Sequence, residues 1–401
     1  MKILMINKFL YPAGGAETYM FELGNYWKDH GDKVEYFGMR HTDNIVGNQW
    51  GIYTDSVDFR KKGFDSKVKN PLKVIYSFEA KRKMRDILKL FEPDVIHINN
   101  FNYQLTPSIL LAIKEYKKII KKKIRVIYTA HDSQLVCPNH YMYTPSTHQI
   151  CSKCLGGSFL NCAKGKCIHE SFMKSVLGAM EAIYWNRRKV YTNIDVILCP
   201  SHFMKRMLDT NVILRNRTVM LRNFVSYSER SVKTETNRRY VLYFGRYSEE
   251  KGIPALLEIC KELSEIPFIF AGGGPLENKI NETECVKNLG FLKGEELRAV
   301  IRNARFSVCL SECNENCPFS IMESMIQGTP VLGTNRGGIS ELITERSTGW
   351  LFSGGNKEQL KIYIREIWNS NEPEIFRKNC EMKTFDTLEK YGEKLKKIYE
   401  G

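Results

Sequence analysis

The chain has 401 residues, 43% hydrophobic and 26% charged, which excludes a disordered polypeptide and exceeds what one ordinary core accommodates. No apolar run approaches the roughly 18 residues of a membrane span. The opening Lys2-Ile3-Leu4-Met5-Ile6-Asn7 is too short for a signal-peptide core, so a cytoplasmic protein is expected.

The net charge of +15 is carried by the first half: residues 1–220 hold 34 Lys and Arg against 19 Asp and Glu, residues 221–401 hold 26 of each. Two stretches, 60–89 and 114–125, concentrate it, the second with Lys117, Lys118, Lys121, Lys122 and Lys123. Such runs serve as solvated faces or rest on an anionic surface, and the inner leaflet of a membrane is the expected partner. Nucleic acid is not expected. The chain has neither a two-Cys, two-His finger spacing nor an aromatic-studded RNA-binding signature.

In chain order, strand-like runs at 2–7, 33–37, 94–98, 124–130, 195–198 and 218–221 alternate with helical patterns such as 16–28 and 72–90. A polar stretch at 226–239 reads as a linker. The alternation resumes with strands at 240–244, 268–271, 286–291, 306–310 and 330–333, and 385–400 reads as one or two helices. This is α/β patterning in two Rossmann-like, doubly wound domains, 1–225 and 240–384, expected to face each other across a cleft. The C-terminal segment 385–401 is expected to cross back to the first domain. One insertion, 132–171, shows no convincing element and carries five of the twelve cysteines.

The second domain holds the densest chemistry. A strand ends at Phe244-Gly245-Arg246, and Tyr247-Ser248-Glu249-Glu250-Lys251-Gly252 leads into a helix. Gly245 permits close backbone approach, and Arg246 and Lys251 offer two cations beside a helix start, a combination suited to a diphosphate. A second glycine turn, Gly272-Gly273-Gly274-Pro275, follows the next strand. Each alone reads equally as a solvated loop.

The segment from Ser311 to Glu323 is more specific. Glu315 and Glu323 have seven residues between them, and Pro318 marks a loop-to-helix junction. Glu315 is therefore expected in the loop and Glu323 one to two turns into the helix. Unpaired N–H groups near Phe319, Ser320 and Ile321 would favour phosphate through the helix N-terminus. Gly328-Thr329-Pro330-Val331 and Gly337-Gly338-Ile339-Ser340-Glu341 follow in order.

This stretch resembles the retaining glycosyltransferases of family 4, whose fold is called GT-B. Their hallmark is a pair of glutamates at this spacing followed by a glycine-proline-valine strand start; here Thr329 lies between Gly328 and Pro330. The resemblance spans nearly the whole chain. Tyr11-Pro12-Ala13-Gly14-Gly15-Ala16-Glu17 resembles the family's glycine-rich loop, Asp94-Val95-Ile96-His97 and Thr129-Ala130-His131-Asp132 resemble two strand ends, and Asn223-Phe224-Val225 resembles the approach to the linker. Arg222 stands where a proline is more usual.

The resemblance implies a role for each matching residue. Arg246 and Lys251 would neutralise the donor diphosphate and the charge growing on the departing nucleotide. Glu315 would hold hydroxyls of the transferred sugar, beside the backbone of Phe319, Ser320 and Ile321, and Glu323 would hold the ribose. Gly15 would let the first domain's backbone approach the donor phosphates or the acceptor, Gly245 would let backbone approach the donor, and His131 would face the sugar at its anomeric carbon. His97 reads equally as structural. The implied reaction is hexosyl transfer with retention, from a UDP- or GDP-sugar to a glycan or lipid-linked acceptor, as in bacterial surface polysaccharide synthesis. No catalytic metal or other cofactor is expected.

Two other functions fit the sequence less well. A nicotinamide-dependent oxidoreductase needs a Gly-x-Gly-x-x-Gly turn that Asn7 to Gly15 does not supply. A zinc-dependent nucleic-acid-binding module would leave the second-domain residues without a purpose. In the insertion, Cys151, Cys154, Cys162 and Cys167 offer four thiolates for a structural zinc, and an unmetallated loop fits the same residues.

Overall fold

The computed structural model describes residues 1–56, 71–120, 122–225 and 240–401. The expected linker at 226–239, Lys121 and the start of the first basic stretch, 60–70, lie outside these residues. The chain divides into two compact units. The first comprises residues 1–147, 151–223 and 388–401, the second 148–150 and 224–387.

In the first unit the chain runs β1 (Lys2–Ile6), α1 (Gly15–Asp29), β2 (Lys33–Phe37), α2 (Phe78–Phe91), β3 (Val95–Ile98), α3 (Ser108–Ile119) and β4 (Arg125–Thr129). It continues with α4 (Leu160–Lys164), α5 (Phe172–Arg187), β5 (Val196–Cys199), α6 (His202–Asp209) and β6 (Thr218–Met220). The strands form one parallel sheet in the order β2-β1-β3-β4-β5-β6. Helices cover both faces of such a sheet, which is why β1, β3 and β4 read as unbroken apolar runs rather than as alternation. Residues 72–90 do not form one helix. Ser77 breaks the pattern, its hydroxyl accepting from the Ala80 N–H at 3.1 Å as the N-cap of α2.

The second unit runs β7 (Val241–Arg246), α7 (Ile253–Glu262), β8 (Phe268–Gly273), α8 (Glu277–Asn281), β9 (Val286–Asn288), α9 (Gly294–Asn303), β10 (Phe306–Cys309) and α10 (Phe319–Ile326). It ends with β11 (Val331–Thr334), α11 (Ile339–Leu342), β12 (Gly349–Phe352), α12 (Lys357–Asn369) and α13 (Glu372–Met382). Its parallel sheet has the order β9-β8-β7-β10-β11-β12. Strand β12 had no counterpart among the sequence-based elements, because its four residues carry too little pattern alone. Pairing with β11 (Val331 opposite Gly349 through Thr334 opposite Phe352) makes it a strand. Strand β9 is correspondingly shorter than the run at 286–291, stopping at Asn288.

The final helix, α14 (Leu388–Glu400), belongs to the first unit and packs on α1. Tyr391, Leu395 and Tyr399 are its buried stripe, and the Tyr391 hydroxyl lies 2.7 Å from that of Tyr19. Among the described residues, no helix is long and apolar enough to cross a membrane.

Candidate functional site

In the second unit the chain leaves β7 toward β8 on one side, while β10 lies on the other. Strand order therefore reverses between β7 and β10, and the helix connections diverge there. Ligands bind at the carboxyl ends of strands at such a switch point. Arg246 closes β7 and Lys251 follows it; the loop carrying Glu315 follows β10.

The two glycine turns that looked weak singly are one packed element. Gly245 pairs with Gly272 across β7 and β8, and a Cβ on Gly272 would lie 1.9 Å from the Gly245 carbonyl oxygen. This close approach is backbone against backbone within the unit, so its first role is to bring two strand ends together. Arg246 is held through its main chain, its carbonyl accepting from the Tyr243 hydroxyl at 2.6 Å. Among the described residues no hydrogen bond or ion pair engages its guanidinium.

Lys251 and Glu315 meet directly. Lys251 Nζ lies 2.5 Å from Glu315 Oε1, and the Ser311 hydroxyl donates to the same oxygen at 2.7 Å. Burial alone would lift the Glu315 carboxyl, but the Lys251 ammonium outweighs it and holds the pKa below the ordinary value. Burial works equally against the Lys251 charge, and Glu315 overcomes it, so the ammonium is held more firmly than usual. Both groups are therefore charged at neutral pH. Sequence reasoning singled out both residues but not their pairing, and it missed Ser311.

The backbone of the Glu315 loop is clamped from two sides. The Gly338 N–H donates to the Glu315 carbonyl at 2.7 Å, and Gly337, at φ +56°, has no room for a Cβ, which would lie 2.2 Å from that carbonyl oxygen. On the other side the Glu312 N–H donates to the Glu250 carbonyl at 2.9 Å, tying this loop to the one carrying Lys251. The Gly337-Gly338 pair thus serves to fix Glu315.

Helix α10 begins at Phe319 after Pro318, and no side chain caps it. Ser320 lies in its first turn, as does Ile321, whose side chain is buried. Glu323 is the fifth helical residue and is partly exposed. An uncapped N-terminus offers N–H donors and the positive end of the helix dipole. Arg246, Lys251, Glu315 and this helix start therefore share one end of one sheet.

In the first unit Gly15 opens α1 and is exposed, with no side-chain cap. Two residues on, Glu17 turns inward and accepts from Asn7 Nδ2 at 2.8 Å. At the ends of β3 and β4, His131 Nε2 lies 2.8 Å from Asn99 Oδ1. Asn99 Nδ2 points to the Ile6 carbonyl at 3.4 Å, so its oxygen faces the imidazole and His131 is the Nε2–H tautomer. The Tyr19 ring packs edge-on against His131 at 4.9 Å. Burial lowers the His131 pKa to about 4 against the opposing pull of Asp132, so the ring is neutral at pH 7. Asn99 carried no sequence signal, because its role depends on β3 lying beside β4.

His97 takes the structural role. It is fully buried, with Nδ1 2.5 Å from the Tyr399 hydroxyl and Nε2 2.7 Å from the Thr129 hydroxyl. It therefore ties β3 to β4 and to α14.

The insertion folds around its thiols. Cys137, Cys151, Cys154, Cys162 and Cys167 line one small cavity, and Cys154, Cys162 and Cys167 form its apolar cluster with Phe159 and Ala182. Cys137 was outside the four cysteines expected as zinc ligands; Cys151 is the least buried of the five. Among the described residues, no three His, Cys, Asp or Glu side chains are set to hold a metal ion. Cys162 and Cys167 interact with each other, and burial pushes the Cys154 thiol to about 11. As placed, the thiols pack as the core of a loop that has little other apolar substance.

The comparisons with known proteins agree with this geometry. Residues 13–229 match the family described as Glycosyltransferase Family 4, and residues 227–384 match Glycosyl transferases group 1. The chain is 30% identical over 188 residues to an uncharacterized glycosyltransferase of Methanocaldococcus jannaschii, an alignment covering 45% of this chain and 52% of that protein. It is 29% identical over 143 residues to the amylovoran biosynthesis glycosyltransferase AmsK of Erwinia amylovora, covering 32% of this chain and 35% of that one. The chain thus spans about half the length, or less, of these curated relatives. Among solved structures, Anabaena HepE in complex with UDP and glucose superposes with a TM-score of 0.64 at 15% identity, over 100% of this chain and 99% of that one. On its two family matches and its pair of parallel sheets, the chain belongs to glycosyltransferase family 4 and has the two-domain, Rossmann-like GT-B fold.

Proposed function

We propose that the chain transfers a hexosyl unit, with retention of configuration, from a nucleoside-diphosphate sugar to a glycan or lipid-linked acceptor in surface polysaccharide synthesis. The observation that carries the donor half is the Lys251–Glu315 pair at the β7/β10 switch point, beside Arg246 and the uncapped start of α10. The match to AmsK, named for amylovoran biosynthesis, supports the polysaccharide setting, and the UDP complex of HepE supports a nucleotide-sugar donor.

In this reading the diphosphate lies against Lys251, Arg246 and the helix start, which together oppose its negative charge. Glu315, ionised and fixed by Ser311 and Gly338, accepts hydrogen bonds from sugar hydroxyls. Glu323 accepts from the ribose diol. The anomeric carbon–oxygen bond breaks as the acceptor oxygen bonds to the same face of that carbon. The acceptor's proton passes to the departing phosphate oxygen, whose growing charge the two cations and the helix dipole stabilise. Lys251 and Arg246 supply the positive charge that a divalent ion supplies in other transferases.

Thermal unfolding with UDP, GDP and their sugar derivatives tests the donor assignment. A ligand at 100 times its Kd adds about 2.7 kcal/mol to stability. A rise in Tm with one of these, lost in Lys251→Met, is expected. No response to any would overturn the reading.

A further inference from the structure

Helix α5 is apolar on two faces. Its inner face, Ser175, Gly178, Ala179, Glu181, Ala182 and Trp185, is buried in the first unit, and Trp185 Nε1 donates to the Ile75 carbonyl at 2.8 Å. Its outer face is also apolar. Met173, Leu177, Met180 and Tyr184 recur at steps of four, three and four, the spacing of one helical stripe. Met173 is 74% exposed and Met180 50%, with Leu177 and Tyr184 partly exposed between and beyond them. Leu160, on the neighbouring helix α4, is 61% exposed. A surface helix normally turns charge outward, so this stripe is out of place in water.

The exposed charges around it are predominantly basic. Residues 160–189 contain Lys164, Lys166, Lys174, Arg187, Arg188 and Lys189, all exposed. Their acidic counterparts are Glu170 and Glu181, and Glu181 lies buried on the inner face. Arg188 stacks on Tyr184 at 5.3 Å and donates to its hydroxyl, so an aromatic ring and a cation sit together at one end of the stripe. Exposed apolar side chains ringed by Lys and Arg are the composition of a helix that lies in a membrane interface.

In the described part of the basic stretches singled out in the sequence, five cations are paired within the unit. Lys81 and Arg85 pair with Glu115, Lys83 with Glu79, Lys117 with Asp195 and Lys122 with Asp94. Exposed apolar side chains there, Leu72, Phe78, Leu90 and Ile119, are spread over separate elements or opposite helix ends rather than set along one helical stripe.

We propose that the outer face of α5, with Leu160 of α4, is a docking surface for an anionic phospholipid bilayer, Met173, Leu177, Met180 and Tyr184 entering the interface and the flanking Lys and Arg meeting lipid phosphates. The surface lies wholly within the first unit and does not depend on the donor assignment. It would hold the enzyme where a lipid-linked acceptor is displayed.

The test is co-sedimentation of the full chain with vesicles of phosphatidylcholine containing 30% phosphatidylglycerol and with pure phosphatidylcholine vesicles. The expected result is binding to the anionic vesicles alone. A tenfold or larger fall in partition is expected for Met173→Ser/Met180→Ser, and likewise for Lys174→Glu/Arg187→Glu. These side chains are exposed, so the Tm and its response to UDP should be unchanged, which separates failure here from failure of the donor reading. Unchanged partition of the Met173→Ser/Met180→Ser variant would overturn the proposal. So would equal binding to neutral vesicles. Sedimentation-velocity evidence of a dimer that the methionine variant dissolves would overturn it in favour of a second copy of the chain.

Discussion

Replacing Lys251 by Met keeps most of the side chain's volume and removes one charge. Glu315 would then be a buried carboxylate, 14% exposed, with the Ser311 hydroxyl as its remaining charge-stabilising partner of the two now present. Breaking one side of a fully buried pair costs about 3–5 kcal/mol. Lys251 is 30% exposed and Ser311 remains, so solvent screening brings the expected loss to about 1–3 kcal/mol. For a unit of this size that is a fall in Tm of about 3–10 °C at pH 7.

The pH dependence identifies the cause. In the wild type the Glu315 pKa lies below its unfolded value, so its stabilisation is present above about pH 4.3 and fades as pH falls through the folded pKa. In the variant burial dominates and raises the pKa, so the same group destabilises the fold as pH rises past about 4.3. The Tm gap between the two proteins should therefore be widest at pH 7 and close toward pH 4. Adding Glu315→Gln to the variant removes the stranded charge and should recover part of the loss. Calorimetry from pH 4 to 8 on the four proteins of this cycle is the assay. A gap that stays constant with pH, or a double variant no more stable than Lys251→Met, would refute the coupling. Sugar transfer by Lys251→Met should fall by roughly 10²–10³, the cost of losing one preorganised group facing developing charge.

Gly337→Ala places a Cβ at φ +56° against the Glu315 carbonyl; it should cost about 1–3 kcal/mol and abolish the thermal response to UDP, and an intact response would show that the clamp is unnecessary. Tyr399→Phe strands a buried His97 nitrogen and should cost about 1–3 kcal/mol by denaturant unfolding, with unchanged UDP affinity, since both residues belong to the first unit. His131, with a folded pKa of about 4 against about 6.5 unfolded, contributes stability that is complete above pH 6.5 and lost as pH falls toward 4. His131→Gln should flatten that part of the Tm–pH curve. The wild-type rate–pH profile should show no His131 limb between pH 5 and 8, and an inflection near 6.5 that His131→Gln removes would contradict a neutral ring.

Much of the fold was legible because the central parallel strands, buried on both faces, are apolar runs, and eleven of the twelve sheet strands had a counterpart among the runs read from the sequence. The exception, Gly349–Phe352, owes its conformation to pairing with its neighbour. The second-domain site was legible for a related reason. Loop Glu315, helix-start Pro318 and helical Glu323 follow one another in the chain, so local spacing fixes their order on the loop and helix. What spacing could not supply is contact between distant segments. Lys251 reaches Glu315 because β7 and β10 are neighbours, which strand order alone decides. The same dependence hid Asn99 behind His131, joined Gly245 to Gly272, and brought Cys137 to the other thiols. The α5 stripe shows the limit most directly. Its apolar residues carry no mark of inside or outside in the sequence, and only the packing of the first unit decides which apolar face is inside and which is left to meet another surface.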